Sequence, residues 1–326
     1  MPTHAMRLHE WGTRMVATAG CSSRSSTLAI DMDLMQLNDN FGVPGVLFFD
    51  EHDGLVRANI STPAARATVY LQGAHITAWQ PAGQQEVLFL SSKSEFVAGK
   101  PIRGGVPISF PWFANRHDGK VGPSHGFARI QDWTLAFAAV AGEDLHLTFT
   151  LGPTQLSRDL GFDQFRVAFR LAIGRSLTMQ LTVANDAEAP LVFEEALHTY
   201  FAVSDVREVT VSGLEATGFV DKADNMTLKP PANAPLTFAS ATDRVYADTT
   251  ATCVIHDKPG GRDITVAKTN SNTTVVFNPW KDLADMGRDE WPKMLCVETV
   301  NAAGDAITLG SGESHTMEAH ISVGSV

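Results

Sequence analysis

The chain has 326 residues, of which 44% are hydrophobic and 19% are charged, and its formal net charge is -11 at pH 7. This composition is that of an ordinary globular protein, and no apolar run approaches the roughly 18 residues that a membrane-spanning helix needs. The acidic charge argues against nucleic acid as a partner, because phosphate backbones require a basic surface. A small anionic ligand remains compatible with the sequence where a few cations are gathered locally.

The three cysteines, Cys21, Cys253 and Cys296, show no C-x-x-C spacing. This odd and sparse set argues against a disulfide framework and against a structural zinc site. Cys296 lies in an apolar run and is predicted to be a small buried hydrophobic residue. A reducing cytoplasm is the predicted compartment.

The first 27 residues contain three arginines, a serine-rich stretch and a single acidic residue, Glu10. This composition is similar to that of a transit segment, but the continuous apolar region of a secretory signal is missing. The favoured interpretation is a disordered or atypical extension over residues 1–40. A start codon placed too early is the other interpretation, with Met32 or Met35 as the first residue.

Beyond the extension, short runs rich in Val, Ile, Thr and Phe alternate with Gly, Pro, Asn and Asp. Residues 145–151 and 176–183 alternate with period two, which is typical of half-buried strands. Many such strands predict an all-β fold, a large antiparallel β-sandwich with few short helices. The segment 281–286 is a candidate for one of these helices. No linker interrupts residues 45–322, so residues 41–326 are predicted to form one domain.

Two apolar segments each contain a titratable side chain where a buried strand is expected. His198 follows residues 191–197, and Glu298 follows residues 294–297. Burying either group is costly unless it has polar partners. The plain alternatives are a core histidine satisfied by hydrogen bonds and a structural salt bridge. Together the two residues suit a reaction that needs one general acid, one general base and no cofactor.

A metal site is a further alternative for His198, because Glu195 and His198 have the spacing of a ligand pair. That spacing brings two ligands to one face only in a helix. The segment does not have helical character, so no metal site is predicted.

Two arginines are candidates for binding an anionic substrate. Arg103 precedes Gly104 and Gly105, which would let the backbone approach a ligand closely. Arg129 ends the segment 124–129, and two guanidinium groups can clamp a phosphate through bidentate hydrogen bonds. The alternative is two surface arginines paired with nearby acids. The glycine pair is a poor phosphate cradle, because neither a helix nor a P-loop lysine follows it.

Several segments, taken in order along the chain, resemble the hexose-6-phosphate mutarotase branch of the aldose 1-epimerase family. The resemblance begins near Leu47 and continues to the C-terminus. Its segments are GAHITAW at 73–79, PIRGGVP at 101–107, FPWF at 110–113, HGFAR at 125–129, EALHTYF at 195–201, the stretch from Gly213-Leu214 to Asp221-Lys222, NPW at 278–280 and VE at 297–298.

The resemblance implies a galactose-mutarotase-like β-sandwich whose site lies on a concave sheet face, without metal or cofactor. It implies that His198 and Glu298 are catalytic and that the partner is a small sugar phosphate. The residues that it places near the substrate are Arg103 and Arg129 beside the phosphate, Asp221 on sugar hydroxyls, and His125 and Ser124. Ser124 is shorter than the polar residue, such as Gln, that can contact substrate at this position in the family.

The resemblance also implies interconversion of the α and β anomers of a hexose 6-phosphate, with glucose 6-phosphate the first candidate. In this mechanism ionised Glu298 takes the proton of the anomeric hydroxyl, and protonated His198 delivers one to the ring oxygen. The ring opens, rotation about C1–C2 exposes the other carbonyl face, and closure reverses the proton transfers. The alternatives are an aldose 1-epimerase for unphosphorylated sugars and a non-catalytic carbohydrate-binding sandwich. The sequence does not determine the oligomeric state, and a monomer is compatible with it.

Overall fold

The computed structural model describes residues 33–325. The transit-like composition and the alternative start at Met32 therefore lie outside the described residues. Within the described part, the chain contains two α-helices and 23 strands. Neither helix has the length and apolar character that crossing a membrane requires.

The helices are α1 (Leu34–Phe41) and α2 (Gln155–Asp159). The strands are β1 (Leu47–His52), β2 (Leu55–Ser61), β3 (Ala65–Tyr70), β4 (His75–Pro81), β5 (Ile108–Ser109), β6 (Thr134–Ala141), β7 (Asp144–Leu151), β8 (Phe165–Ile173), β9 (Ser176–Asn185), β10 (Leu191–Phe193), β11 (Glu195–Leu197), β12 (Tyr200–Ala202), β13 (Thr210–Ser212), β14 (Phe219–Asp221), β15 (Thr227–Lys229), β16 (Leu236–Thr237), β17 (Thr242–Tyr246), β18 (Cys253–Asp257), β19 (Arg262–Thr269), β20 (Thr273–Asn278), β21 (Met294–Asn301), β22 (Ile307–Leu309) and β23 (Ser314–Ser325). Short 3-10 turns cover Ala128–Ile130, Val206–Glu208, Lys222–Asp224, Trp291–Lys293 and Ala303–Asp305.

Two large antiparallel sheets make up most of the fold. One has nine strands in the order β16-β13-β18-β19-β23-β9-β8-β7-β6. The other has eight strands, with the order β15-β14-β17-β20-β21-β11-β5 and with β12 also paired to β21. Strands β1–β4 form a smaller sheet, and β10 pairs with β22. The predicted all-β antiparallel sandwich with few short helices is confirmed.

The burial patterns explain why the sequence folds in this way. Strands β7, β8 and β9 bury every second residue, as strands do when one face of their sheet covers a core. Strand β21 buries all eight of its residues, because it lies in the middle of its sheet and is covered on both faces. This full coverage places the polar side chains of β21 in a setting where each must find a partner.

Helix α1 lies partly within the residues predicted as the extension 1–40. Asp33 caps its N-terminus, and Asp33 and Gln36 form a capping box. Asn38 ties the helix to β1 through two hydrogen bonds with the backbone of Phe49, of 2.8 and 2.9 Å. The part of the chain from Asp33 onward therefore packs against the sheets.

The helix predicted at 281–286 is wrong, because this segment is a loop between β20 and β21. Leu283 and Met286 have helix-like spacing, but both side chains instead pack against a core cluster that includes Tyr200 and Cys296. Burial of these two apolar side chains fixes the loop on the eight-stranded sheet.

The glycine pair after Arg103 packs against protein backbone, which corrects the expectation of close approach to a ligand. A Cβ at Gly104 would lie 2.4 Å from the carbonyl oxygen of Phe89, and a Cβ at Gly105 would lie 2.3 Å from that of Ile76. Both glycines have positive φ, of 118° and 61°, which other residues rarely adopt. The pair thus lets the Arg103 segment lie directly on its neighbours.

Replacing Gly105 by Ala is expected to lower the free energy of unfolding by about 3 kcal/mol or more, because strain and a backbone clash add. Urea unfolding measures this loss. Gly83→Ala is the matched control. Gly83 has φ of 80°, and a Cβ added there would have no atom within 4 Å. This variant should therefore lose only about 1 kcal/mol, from backbone strain alone. Equal losses in the two variants would contradict the packing explanation.

Candidate active site

The strand arrangement brings His198 next to Glu298. Strands β11 and β12 both pair with β21, and His198 lies in the gap between β11 and β12. Its Nδ1 is 3.4 Å from Oε1 of Glu298. Their side chains are 10% and 1% exposed. The histidine and carboxylate that the sequence predicts as an acid/base pair therefore lie side by side in one buried place.

The pair is held rigidly but is not fully satisfied. The backbone N–H of His198 donates to the carbonyl of Pro107 at 3.0 Å. The imidazole ring of His198 stacks on the ring of Tyr200, with centroids 4.9 Å apart. Nonetheless Nδ1 of His198 and Oε2 of Glu298 are buried without a hydrogen-bond partner in the described part of the chain. Each unpaired buried group costs roughly 1–3 kcal/mol. Such an arrangement is typical of a site built for a polar ligand.

A cavity of about 150 Å³ opens onto this pair. It contains both cationic and anionic groups as well as an apolar wall, which suits a small polar molecule with one apolar face. Its lining residues are Arg103, Phe113, Ala114, His125, His198, Tyr200, Lys222, Asp243, Val275, Phe277 and Glu298.

Burial shifts the pKa values of the two central groups toward their uncharged forms. Burial lowers the pKa of His198 well below 6.5, and the charges of Arg129 and Arg103 lower it further. Burial raises the pKa of Glu298 well above 4.5, and Asp243 adds to this effect. Both shifts favour the uncharged form of the ligand-free pair, in which Glu298 carries the proton and His198 does not. The sequence-based mechanism assigns it to His198 instead.

His125 adds a second imidazole to the cavity. Its ring lies edge-on to that of His198, with centroids 5.2 Å apart. Burial, with the charges of Arg129, Lys222 and Arg103, lowers the pKa of His125 to about 3, so the ring is neutral. Because its Nδ1 accepts from the N–H of Ala114 at 3.3 Å, Nε2 carries the hydrogen and is the donor of this residue.

The two arginines differ in their partners. Arg103 lines the cavity and pairs with Asp285. Arg129 donates from Nη2 to the carbonyl of Ser124 at 2.8 Å, and its buried Nε has no hydrogen-bond partner. Among residues 33–325 no carboxylate forms an ion pair with Arg129. Burial and the neighbouring charge of Arg103 lower the pKa of Arg129 to about 10, as expected for a half-buried cation that forms no ion pair among these residues.

The family model described as aldose 1-epimerase matches residues 57–322. The chain belongs to the aldose 1-epimerase family. The predicted family membership and the prediction of an epimerase-type enzyme are thereby confirmed.

Individual relatives agree with this assignment. A Salmonella typhimurium protein named "Putative glucose-6-phosphate 1-epimerase" is 36% identical over 247 residues, which cover 74% of this chain and 82% of that protein. A protein of the same name from Escherichia coli K12 is 34% identical over 258 residues, or 78% and 85% of the two chains. The crystal structure of a "putative mutarotase (YeaD)" from Salmonella typhimurium has a TM-score of 0.82 at 32% identity, and the match covers 88% of this chain and 96% of that one.

Three residues that the family resemblance placed at the substrate do not line the cavity of this epimerase-family protein: Arg129, described above, and Asp221 and Ser124. The Asp221 carboxylate accepts from the N–H of Ala223 at 3.1 Å and so caps the turn that contains Lys222. Ser124 is exposed and contributes its backbone carbonyl to Arg129. Both side chains thus stand beside residues of the site rather than in it.

Two charged residues that the sequence analysis missed do line the cavity. Lys222 and Asp243 form an ion pair of 3.4 Å. Asp243 lies on β17, which pairs with β14 and β20, and it acts electrostatically on Glu298. The sequence of β17, TDRVY, has no period-two alternation of apolar and polar residues that could have indicated an inward side chain at Asp243.

The Glu195–His198 metal alternative is not matched by the geometry. Oε1 of Glu195 lies 3.1 Å from Nε2 of His315, in a different buried pair. The ligand atoms that do converge belong to His198, Cys296 and Glu298, all within 4.8 Å of one another. Burial raises the pKa of the Cys296 thiol well above 9, so the loss of its proton, which zinc binding would require, is disfavoured in the ligand-free site.

Proposed function

We propose that the protein interconverts the α and β anomers of a hexose 6-phosphate, with glucose 6-phosphate as the first substrate to test. One observation carries this proposal: a single cavity holds an unsatisfied His–Glu pair, and Arg103 at its wall stands near Arg129, a half-buried arginine whose buried Nε has no hydrogen-bond partner among the described residues. The pair suits proton transfer to and from a sugar. The arginines suit a phosphate. The names of the relatives support the same substrate class.

Ring opening requires one proton to leave the anomeric hydroxyl and one to reach the ring oxygen. Glu298 takes the first and His198 supplies the second, so the reactive form has a carboxylate and an imidazolium. This form and the uncharged pair contain the same number of protons. They differ by one transfer between groups 3.4 Å apart, and closure of the ring on the other carbonyl face restores the starting state.

Substrate binding favours the reactive form for reasons visible in the ligand-free site. Besides burial, the charges of Arg129 and Arg103 depress the pKa of His198, and a bound phosphate with a charge of about -1.5 to -2 would offset them. A sugar hydroxyl that donates to Glu298 would lower the pKa of that carboxyl. Both changes move the shared proton toward His198.

The remaining polar groups suit the recognition of sugar hydroxyls. Asp243 offers an acceptor, while Lys222 and the Nε2–H of His125 offer donors. Asp221 and Ser124 act through their neighbours in this proposal, since Asp221 caps the turn of Lys222 and Ser124 holds a nitrogen of Arg129.

The test is the rate of anomer exchange of glucose 6-phosphate and of glucose, followed by NMR with the wild-type protein and with buffer alone. We expect exchange of glucose 6-phosphate well above the buffer rate and a clear preference for it over glucose. Equal rates for the two sugars would favour an aldose 1-epimerase for unphosphorylated sugars. Binding of glucose 6-phosphate without any acceleration would favour a carbohydrate-binding sandwich.

The pH dependence of kcat/KM, which reports the pKa values of the ligand-free enzyme, is expected to be bell-shaped. Activity requires that the His198–Glu298 pair hold one proton. On the acid side the pair gains a second proton at His198, whose pKa is lowered, so the midpoint of this limb lies below 6.5. On the basic side it loses the proton of Glu298, whose pKa is raised, so activity extends well above pH 4.5 before it falls.

Exchange rates at glucose 6-phosphate concentrations well below KM, with the buffer rate subtracted at each pH, give this profile. Glucose 6-sulfate is the control substrate, because its charge does not titrate near pH 6 as that of a phosphate does. An acid limb centred above 6.5 with both substrates would contradict the lowered pKa of His198.

A further inference from the structure

Protein groups hold Arg103 from two sides. Its Nε donates to Oδ2 of Asp285 at 3.0 Å, and its Nη2 donates to the same oxygen. Its Nη1 donates to the hydroxyl of Tyr200 at 2.9 Å. A guanidinium has five N–H donors, so these three bonds leave one N–H on each terminal nitrogen. Arg103 lines the cavity, whereas Asp285 does not.

The two anchors of Arg103 are themselves fixed. The backbone that follows Asp285 is anchored by Met286, which is 1% exposed and packs in the cluster of Tyr200 and Cys296. One residue further on, the N–H of Gly287 donates to the carboxylate of Glu290 at 2.8 Å. Tyr200 is buried and its ring stacks on that of His198.

We propose that Asp285 is a positioning residue for the phosphate end of the substrate: it orients Arg103 so that the remaining donors of the guanidinium meet the phosphate. This inference rests on the proposed function. An arginine has a long and mobile side chain, and ordering such a side chain only upon binding weakens affinity by about twofold to tenfold. Asp285 and Tyr200 order it beforehand.

The competing interpretation is that the Asp285 carboxylate occupies the place of the phosphate and must be displaced. The two interpretations predict effects of opposite sign. If Asp285 positions Arg103, its removal weakens phosphate binding. If Asp285 competes with the ligand, its removal strengthens phosphate binding. The position of Asp285 outside the cavity, with two free donors still available on Arg103, favours the first.

The experiment measures the Kd of inorganic phosphate by calorimetry, and KM and kcat for glucose 6-phosphate, in the wild type and in Asp285→Ala. We expect Kd and KM to rise by about threefold to tenfold, with KM rising more than kcat falls. Asp289→Ala is the matched control. This substitution removes the same charge from the same loop, and the side chain of Asp289 is 84% exposed. That control should leave Kd and KM unchanged.

A double-mutant cycle with Arg103→Ala gives the decisive readout. In the Arg103→Ala background, Asp285→Ala should have no further effect on phosphate binding. An equal loss in both backgrounds, tighter phosphate binding in Asp285→Ala, or no change at all would each overturn the inference. If the wild type exchanges glucose 6-phosphate rapidly, such a result defeats only the role of Asp285. A wild type that is no faster than buffer defeats the proposed function and this inference with it.

Discussion

Glu298→Gln and His198→Ala are each expected to slow anomer exchange of glucose 6-phosphate by about 10²- to 10⁴-fold, the usual contribution of one general acid or base. Glutamine keeps the shape of Glu298 but can neither take nor give the proton. Alanine removes the imidazole that completes the transfer. NMR exchange rates at saturating substrate measure both losses.

The double variant should be about as slow as the slower single variant, because both residues act on one shared proton and such effects do not add. Losses that multiply would indicate two independent contributions. Full activity in both single variants would refute the assignment of the pair.

A matched control separates chemistry from folding. The chain contains a second buried Glu–His pair, in which Glu195 and His315 lie 3.1 Å apart, and neither lines the cavity. His315→Gln perturbs a comparable pair and should change the stability of the protein but not the exchange rate of its folded fraction. A large loss of activity in this control would mean that damage to any buried Glu–His pair is enough to slow anomer exchange.

The central pair could be predicted from the sequence because burial leaves a clear pattern. His198 and Glu298 each interrupt an apolar run, and a polar group in such a run needs a partner. In the structure the two runs lie on neighbouring strands of one sheet, because β11 and β12 both pair with β21. Which of the two groups holds the proton could not be predicted, since it depends on distances to Arg129, Arg103 and Asp243.

The rest of the site depends on contacts that a linear pattern does not contain. Asp243 and Lys222 meet across the pairing of β17 with the end of β14, whereas the family resemblance pointed to the adjacent Asp221. Asp285 lies in the segment 281–286, which is a helix candidate in the sequence and a loop in the structure. The two glycines after Arg103 indicate a close approach of the backbone to another group. Whether that group is a ligand or protein backbone depends on the neighbouring strands, which the sequence pattern does not show.

Arg129→Met is expected to weaken binding of glucose 6-phosphate by about tenfold to a hundredfold, the range for losing charge-assisted hydrogen bonds. Methionine preserves much of the buried apolar stem and removes the charge. The KM for free glucose should be unaffected, because glucose has no phosphate for Arg129 to bind. KM values for the two sugars measure the difference, and Arg166→Met, which removes an exposed arginine paired with Asp186, should change neither.

The same substitution should not destabilise the protein, which distinguishes a functional cation from a structural one. In the folded state the pKa of Arg129 is lowered to about 10, so its charge is disfavoured by folding at neutral pH. Removing an uncompensated buried charge is neutral or stabilising when an apolar side chain fills the space. We therefore expect an unchanged or higher Tm together with a higher KM. A lower Tm with equal losses for glucose and glucose 6-phosphate would mean that Arg129 supports the fold rather than the phosphate.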